Sequence, residues 1–194
     1  MPPRQLVRLL LATRALPPRA ALFQARAMLR AQRLGDDWAR RSSTRPGAVA
    51  ELLRLARGRR RAVELGTATG WTAGALLLAD PQRRLTTFDP VVREHREQYL
   101  RLLPRAARHR LELVLAPGHE AQGDGIELLF VDSSHDRDAT VAEVRAWQPR
   151  LAPEALVVLH DYGNPAYPGV AQAVTELELP GREHAGMWLW ESTG

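Results

Sequence analysis

A chain of 194 residues, 45% hydrophobic and 25% charged, suffices for one well-buried domain with an appendage, and its composition excludes wholesale disorder and a collagen-like class. Cysteine is absent, which removes disulfides, thiolate metal sites and a cysteine nucleophile and agrees with a reducing, cytoplasmic setting. The charge is polarised: the 15 arginines within residues 1–61 face only Asp36, Asp37 and Glu51, a balance of +12 that leaves −7 for the rest of the +5 total.

Residues 4–34 interleave Leu, Val, Ala and Met with Arg at helical spacing and break at Pro17 and Pro18, which predicts two helices. Arg8, Arg14 and Arg19 interrupt the apolar stretches, so neither a membrane span nor a signal-peptide core is expected. Ser42, Ser43 and Thr44 precede Pro46, and Val49, Leu52, Leu53 and Ala56 follow on one face as far as Gly58, the pattern of a capped helix leading into the core. Such a basic arm can attract nucleic acid or anionic lipid, or it can pack as a lid with its arginines in water. Only Phe23 and Trp38 could stack on bases there, which favours the lid. Residues 1–58 are therefore read as a basic helical arm and residues 59–194 as the main domain.

From residue 61 short apolar runs alternate with amphipathic helical stretches. Strands are expected near 61–66, 85–89, 111–116, 126–132 and 155–160, helices near 70–80, 92–107, 138–150 and 168–178, and an edge strand over Met187 to Trp190. The fold class is α/β: a doubly wound, Rossmann-like, mostly parallel sheet with helices on both faces.

The segment Val63-Glu64-Leu65-Gly66-Thr67-Ala68-Thr69-Gly70 ends a strand, turns tightly and opens a helix, which marks a binding crevice. Gly66 and Gly70 stand four apart, so the dinucleotide fingerprint is missing. The Glu64 carboxylate would repel a pyrophosphate but attract a cationic ligand, or hold its amino group through water, which favours S-adenosylmethionine over a nicotinamide dinucleotide. Asp89 closes the second strand roughly 20 residues after the glycine turn, where such folds set an acid on ribose hydroxyls; its other reading is a cap for the next helix. Gly118, His119 and Glu120 follow the third strand, either against an adenine or as a plain polar turn.

Asp132 and Asp161 fall at the carboxyl ends of the fourth and fifth strands, where two carboxylates in one crevice call for a partner. A hard divalent cation such as Mg2+ would satisfy both and lower the pKa of a bound acceptor hydroxyl. His135, three residues after Asp132, is the candidate general base, since an imidazole can take a proton near neutral pH. His160 immediately precedes Asp161 on a strand, where alternation would send the two side chains to opposite faces. Trp147, Trp188 and Trp190 read as core, while Tyr162 and Tyr167 could close over an acceptor or pack.

Taken together, Glu64-Leu65-Gly66-Thr67, Phe88-Asp89, Val131-Asp132-Ser133-Ser134-His135 and His160-Asp161-Tyr162 make the run from Arg61 to Val174 resemble the class I S-adenosylmethionine-dependent methyltransferases. Within that class it is most similar to the small catechol-type and macrolide-sugar-type O-methyltransferases. The resemblance implies a donor site of Glu64, Gly66, Thr67, Gly70, Asp89, Gly118, His119 and Asp132. It also implies catalysis by His135, Asp132 and Asp161, with a metal on Asp132 and Asp161. Two departures stand out: Ala68 replaces a third glycine, and Tyr162 stands where catechol-type members carry asparagine, with Asn164 two residues later. The third metal ligand is therefore open. A small-molecule acceptor is the expected partner, and a homodimer is compatible with the sequence. The competing readings are nucleic-acid methylation, motivated by the arm, and a non-catalytic S-adenosylmethionine-binding module.

Overall fold

The computed structural model describes residues 14–193, so the first of the two helices expected before Pro17 lies outside the described residues. The second is α1 (Pro18–Leu34), which opens on proline and closes at Gly35 in the left-handed region, φ +66°. A short α2 (Asp37–Ser42), not anticipated, starts where Asp36 accepts the Ala39 N–H at 2.9 Å. In α3 (Pro46–Leu55) the expected hydroxyl cap is absent: Arg45 holds the cap position without a side-chain bond, and the Thr44 hydroxyl is used in the site described below.

The main body runs β1 (Arg61–Leu65), α4 (Trp71–Ala79), β2 (Arg84–Phe88), α5 (Arg96–Leu100), α6 (Arg105–Arg108), β3 (Leu111–Val114), β4 (Ile126–Val131), α7 (Arg137–Trp147), β5 (Leu151–His160), α8 (Pro168–Glu176), β6 (Arg182–His184) and β7 (Met187–Glu191). The sheet order is β3-β2-β1-β4-β5-β7-β6. Strands β1 to β5 are parallel, and β7 returns antiparallel to β5. Met187 to Trp190 was expected at the edge, but β6 pairs outside it through a hairpin turned by Ala185 and Gly186, at φ +53° and +75°. The helix expected over 92–107 is two pieces, because Pro104 cannot continue a helix and instead starts α6.

The sheet is apolar on both faces, and the period of two sorts its side chains cleanly. Leu128, Phe130, Leu156 and Val158 pack with Val49, Leu52, Leu76 and Leu100 on one face, while Leu129, Val131, Val157 and Leu159 meet Val144, Trp147, Val170 and Val174 on the other. The residues read as an arm share the first of these cores: Phe23 of α1 lies against Gly74 of α4, where a methyl group would strike its ring. Arg19, Arg26, Arg33 and Arg40 remain on the water side. Among the described residues no helix is long and apolar enough to cross a membrane.

Candidate active site

The chain turns from β1 to β2 on one side of the sheet and from β4 to β5 on the other, so the loops leaving β1 and β4 diverge at their carboxyl ends. A crevice of about 1080 Å³ opens there, at the switch point where doubly wound sheets hold ligands. Gly66, at φ +98°, shapes its floor: a Cβ would overlap the Asp132 carbonyl and the Ser133 Cα, so only glycine lets the first loop lie against the end of β4. Backbone bonds hold the bend, with Gly66 N–H donating to Phe88 and Asp132 N–H donating to Leu65, both at 2.8 Å.

Of the expected site residues, Gly66, Thr67, Asp89, Gly118, His119, Asp132, His135 and Asp161 line this crevice. Glu64 and Gly70 lie behind the lining. Glu64 is 1% exposed because strand alternation turns it, with Ala62, away from Val63 and Leu65 and into the protein. There its Oε2 accepts the Thr87 hydroxyl at 2.7 Å. Gly70, at φ +79°, caps α4 beside Leu100. Asp89 reaches the wall already engaged: Oδ2 accepts Ala68 N–H at 2.8 Å and Arg96 Nη2 at 2.7 Å, and Oδ1 accepts Val91 N–H at 2.8 Å. It braces the turn after β2 and is not a helix cap, since His95 holds the cap position of α5.

Burial pushes the Glu64 carboxyl up from 4.5 to about 8, with the Thr87 hydrogen bond opposing and the Asp132 charge adding to the rise. The folded state thus holds this proton more tightly than the unfolded chain. The associated stability is complete below about pH 4.5 and lost as pH rises toward about 8. Glu143 and His160, also raised, slope the same way, so the diagnostic is the difference between wild type and Glu64→Gln. Urea midpoints should show E64Q gaining steadily on wild type from about pH 5 to about pH 8. Parallel profiles would contradict a buried, protonated Glu64.

At the other end of the crevice Asp132, His135, His160 and Asp161 each bring a ligand-type atom within 4.8 Å of the others. His135 Nε2 lies 3.1 Å from Asp132 Oδ1 and 3.3 Å from Asp161 Oδ2, and His160 Nδ1 lies 2.9 and 3.3 Å from the same two oxygens. The expectation that His160 points away from Asp161 is corrected here. Strand β5 ends at His160, and Asp161 turns left-handed at φ +58°, which swings its carboxylate back toward its neighbour. His135 is also left-handed, at φ +59°, and such non-glycine strain gathers at functional sites.

Burial alone would lower the His160 pKa, but hydrogen bonds to Asp132 and Asp161 overcome it and raise the imidazole to about 10. Burial likewise works to raise Asp132, yet the hydrogen bonds of His135 and His160 hold it well below the usual carboxylate range. Asp161 is lowered for the same reasons, with Asn164 Nδ2 donating to its Oδ1 at 2.9 Å. One N–H of His160 can serve only one of the two oxygens it faces, whereas a divalent cation would be met by both carboxylates and by the imidazole. The donors therefore fit a cation, and two carboxylates with imidazole suit Mn2+, Fe2+ or Zn2+ better than the Mg2+ expected for the two aspartates alone, which prefers oxygen throughout.

Several wall residues escaped the sequence reading. The Thr44 hydroxyl donates to Asp132 Oδ2 at 3.0 Å and accepts from Thr72 at 3.2 Å, tying the arm to the centre of the site. Trp38 lies under the Arg93 guanidinium at 4.0 Å, and Glu143 and Ser133 join the wall near Gly118. Tyr167 stacks on His135 with ring centres 4.5 Å apart, whereas Tyr162 packs on Trp188. No local pattern announced Thr44, because its partner is 88 residues away.

A family model described as a methyltransferase domain matches residues 63–162, just over half of the chain. Among solved structures, a methyltransferase from Geobacter sulfurreducens is 18% identical with a TM-score of 0.64, covering 97% of this chain and 96% of that one. CalS11, a TDP-rhamnose 3'-O-methyltransferase of calicheamicin biosynthesis, is 18% identical with a TM-score of 0.58, covering 74% of this chain and 76% of that one. The N-methyltransferase NodS from Bradyrhizobium japonicum is 16% identical with a TM-score of 0.54, covering 76% and 96%. At these identities the likeness is one of fold. No curated protein sequence matches the chain.

Proposed function

Because the chain belongs to the methyltransferase-domain family, we propose that its crevice binds S-adenosylmethionine and transfers the methyl group to a hydroxyl of a small molecule with adjacent oxygens, such as a catechol or a sugar diol, assisted by a divalent cation. The observation that carries this reading is that the Gly66 bend and the Asp132, His135, His160 and Asp161 cluster open on the same crevice. Its volume, about 1080 Å³, lies just above the range of ordinary ligand pockets, roughly 300–1000 Å³, which suits a donor and an acceptor side by side.

Gly66, Thr67 and Asp89 hold the donor along the loops after β1 and β2. Its sulfonium is directed toward Asp132, whose retained negative charge favours a cation nearby. Asp132, His160 and Asp161 would hold the divalent ion, which when bound acidifies a coordinated hydroxyl. His135 acts as general base. With Nε2–H donating to Asp132 at 3.1 Å, the lone pair on Nδ1 receives the hydroxyl proton, and both flanking carboxylates stabilise the imidazolium. The acceptor oxygen then forms a bond to the methyl carbon while the carbon–sulfur bond breaks, its electron pair staying on sulfur as S-adenosylhomocysteine leaves. The described part of the arm serves as the lid, with Trp38 and Arg41 to Arg45 as the acceptor-side wall.

Transfer of labelled methyl to catechol and sugar-diol acceptors tests the reading. Activity should disappear with a chelator and return with Mn2+ or Mg2+; full activity in chelator removes the ion from the mechanism. His135→Ala should lower kcat by about a hundredfold to ten-thousandfold while S-adenosylhomocysteine still binds, and an unchanged kcat would exclude His135 as base.

A further inference from the structure

Helix α7 leaves the loop after β4 with Ala139 and Glu143, one turn apart, both facing the crevice. Glu143 plays no part in the proton or methyl steps, yet it is only 4% exposed. Its Oε2 accepts the Ser133 hydroxyl at 2.7 Å, and among the described residues no donor meets Oε1. That oxygen lies over Gly118, where a Cβ would overlap it, so the glycine keeps the space in front of the carboxyl open. The Gly118 loop is fixed from below by Trp147, whose Nε1 donates to the Gly118 carbonyl at 2.7 Å. Oε1 is not sealed inside the protein but opens on the crevice, where a ligand's N–H can take the place of water. The burial already shows in the group's chemistry: its pKa is pushed up to about 7, only partly offset by Ser133.

The position identifies the donor this oxygen awaits, given the reading that S-adenosylmethionine occupies the crevice. With the sulfonium toward Asp132 and the ribose at Asp89, the base extends past β2 to the loops after β3 and β4, where Gly118 and Ser133 stand. We propose that Glu143 is the specificity residue for adenine, its Oε1 accepting a hydrogen from the exocyclic N6 amino group while Ser133 holds Oε2. Glu143 is then a binding residue for the methyl donor that enters the wall from a helix rather than from a strand-end loop.

Calorimetry with S-adenosylhomocysteine and its 6-deamino purine analogue, which lacks only the N6 donor, tests the assignment. Wild type should prefer the adenine form by about tenfold. Glu143→Ala should bring the two within about twofold, and Glu143→Gln, whose amide oxygen can still accept, should keep the preference. Glu143→Met retains length without either oxygen and gives the same readout should the truncation unfold the chain. A preference that survives in E143A or E143M, or is missing from wild type, overturns the role of Glu143 alone. Failure of wild type to bind either nucleoside overturns the S-adenosylmethionine reading with it.

Discussion

Asp132→Asn should lower methyl transfer by about a thousandfold or more while S-adenosylhomocysteine binds within about threefold of wild type. Asp132 is where the site's parts meet: Oδ1 accepts from His135 and His160, Oδ2 accepts from Thr44, and the backbone N–H closes the loop after β1. An amide keeps the shape and one acceptor oxygen but removes the charge. His160 then loses a partner that raises its pKa, a cation loses one carboxylate, and the His135 imidazolium loses a counter-charge. These losses concern the reacting end, so the signature is a fall in kcat with little change in affinity for S-adenosylhomocysteine, whose thioether carries no sulfonium charge for Asp132 to meet. Unfolding curves measured alongside correct for any lost folded fraction, since removing one partner of a buried charge network is destabilising. Near-normal turnover by D132N would show that the cluster does not handle the reacting oxygen.

The second large effect is structural. Gly66→Ala should cost more than about 3 kcal/mol of stability and abolish donor binding, because the new Cβ meets the backbone of Asp132 and Ser133, which cannot rotate aside as a side chain would. The conformational penalty alone is smaller. Gly35, also left-handed at φ +66° but with nothing near its missing Cβ, measures it: Gly35→Ala should cost about 1 kcal/mol. Urea midpoints for the two variants separate strain from collision. If G66A and G35A unfold alike, the close approach of the first loop to β4 is not what requires glycine.

The parts of this molecule that were legible in its sequence depend on local periodicity or on spacing along strands. Alternation of apolar runs and helical stretches predicted the parallel sheet, and the positions of Gly66, Asp89, Asp132 and Asp161 after their strands predicted one crevice, because βαβ units bring strand carboxyl ends to one edge. Three kinds of feature were not legible. Strand β6, Arg-Glu-His, has no apolar alternation and exists because β7 offers it an edge. The approach of His160 to Asp161 was not legible because the alternation of a regular strand gives no sign of the left-handed turn at Asp161, which swings that carboxylate back. Thr44 and Glu143 carry no motif; a hydroxyl before a proline reads as a cap, and a glutamate in an amphipathic helix reads as solvated, until tertiary packing turns each toward the crevice.

The central claim is that the methyl donor and the Asp132, His160 and Asp161 donors share one chamber. Its most direct measurement is the NMR linewidth of carbon-13 methyl-labelled S-adenosylmethionine bound to the protein, before and after addition of Mn2+. Wild type should show paramagnetic broadening of the methyl signal, and Asp161→Asn a sharp signal with the same Mn2+. A methyl resonance that stays sharp in wild-type protein holding both ligands would contradict it.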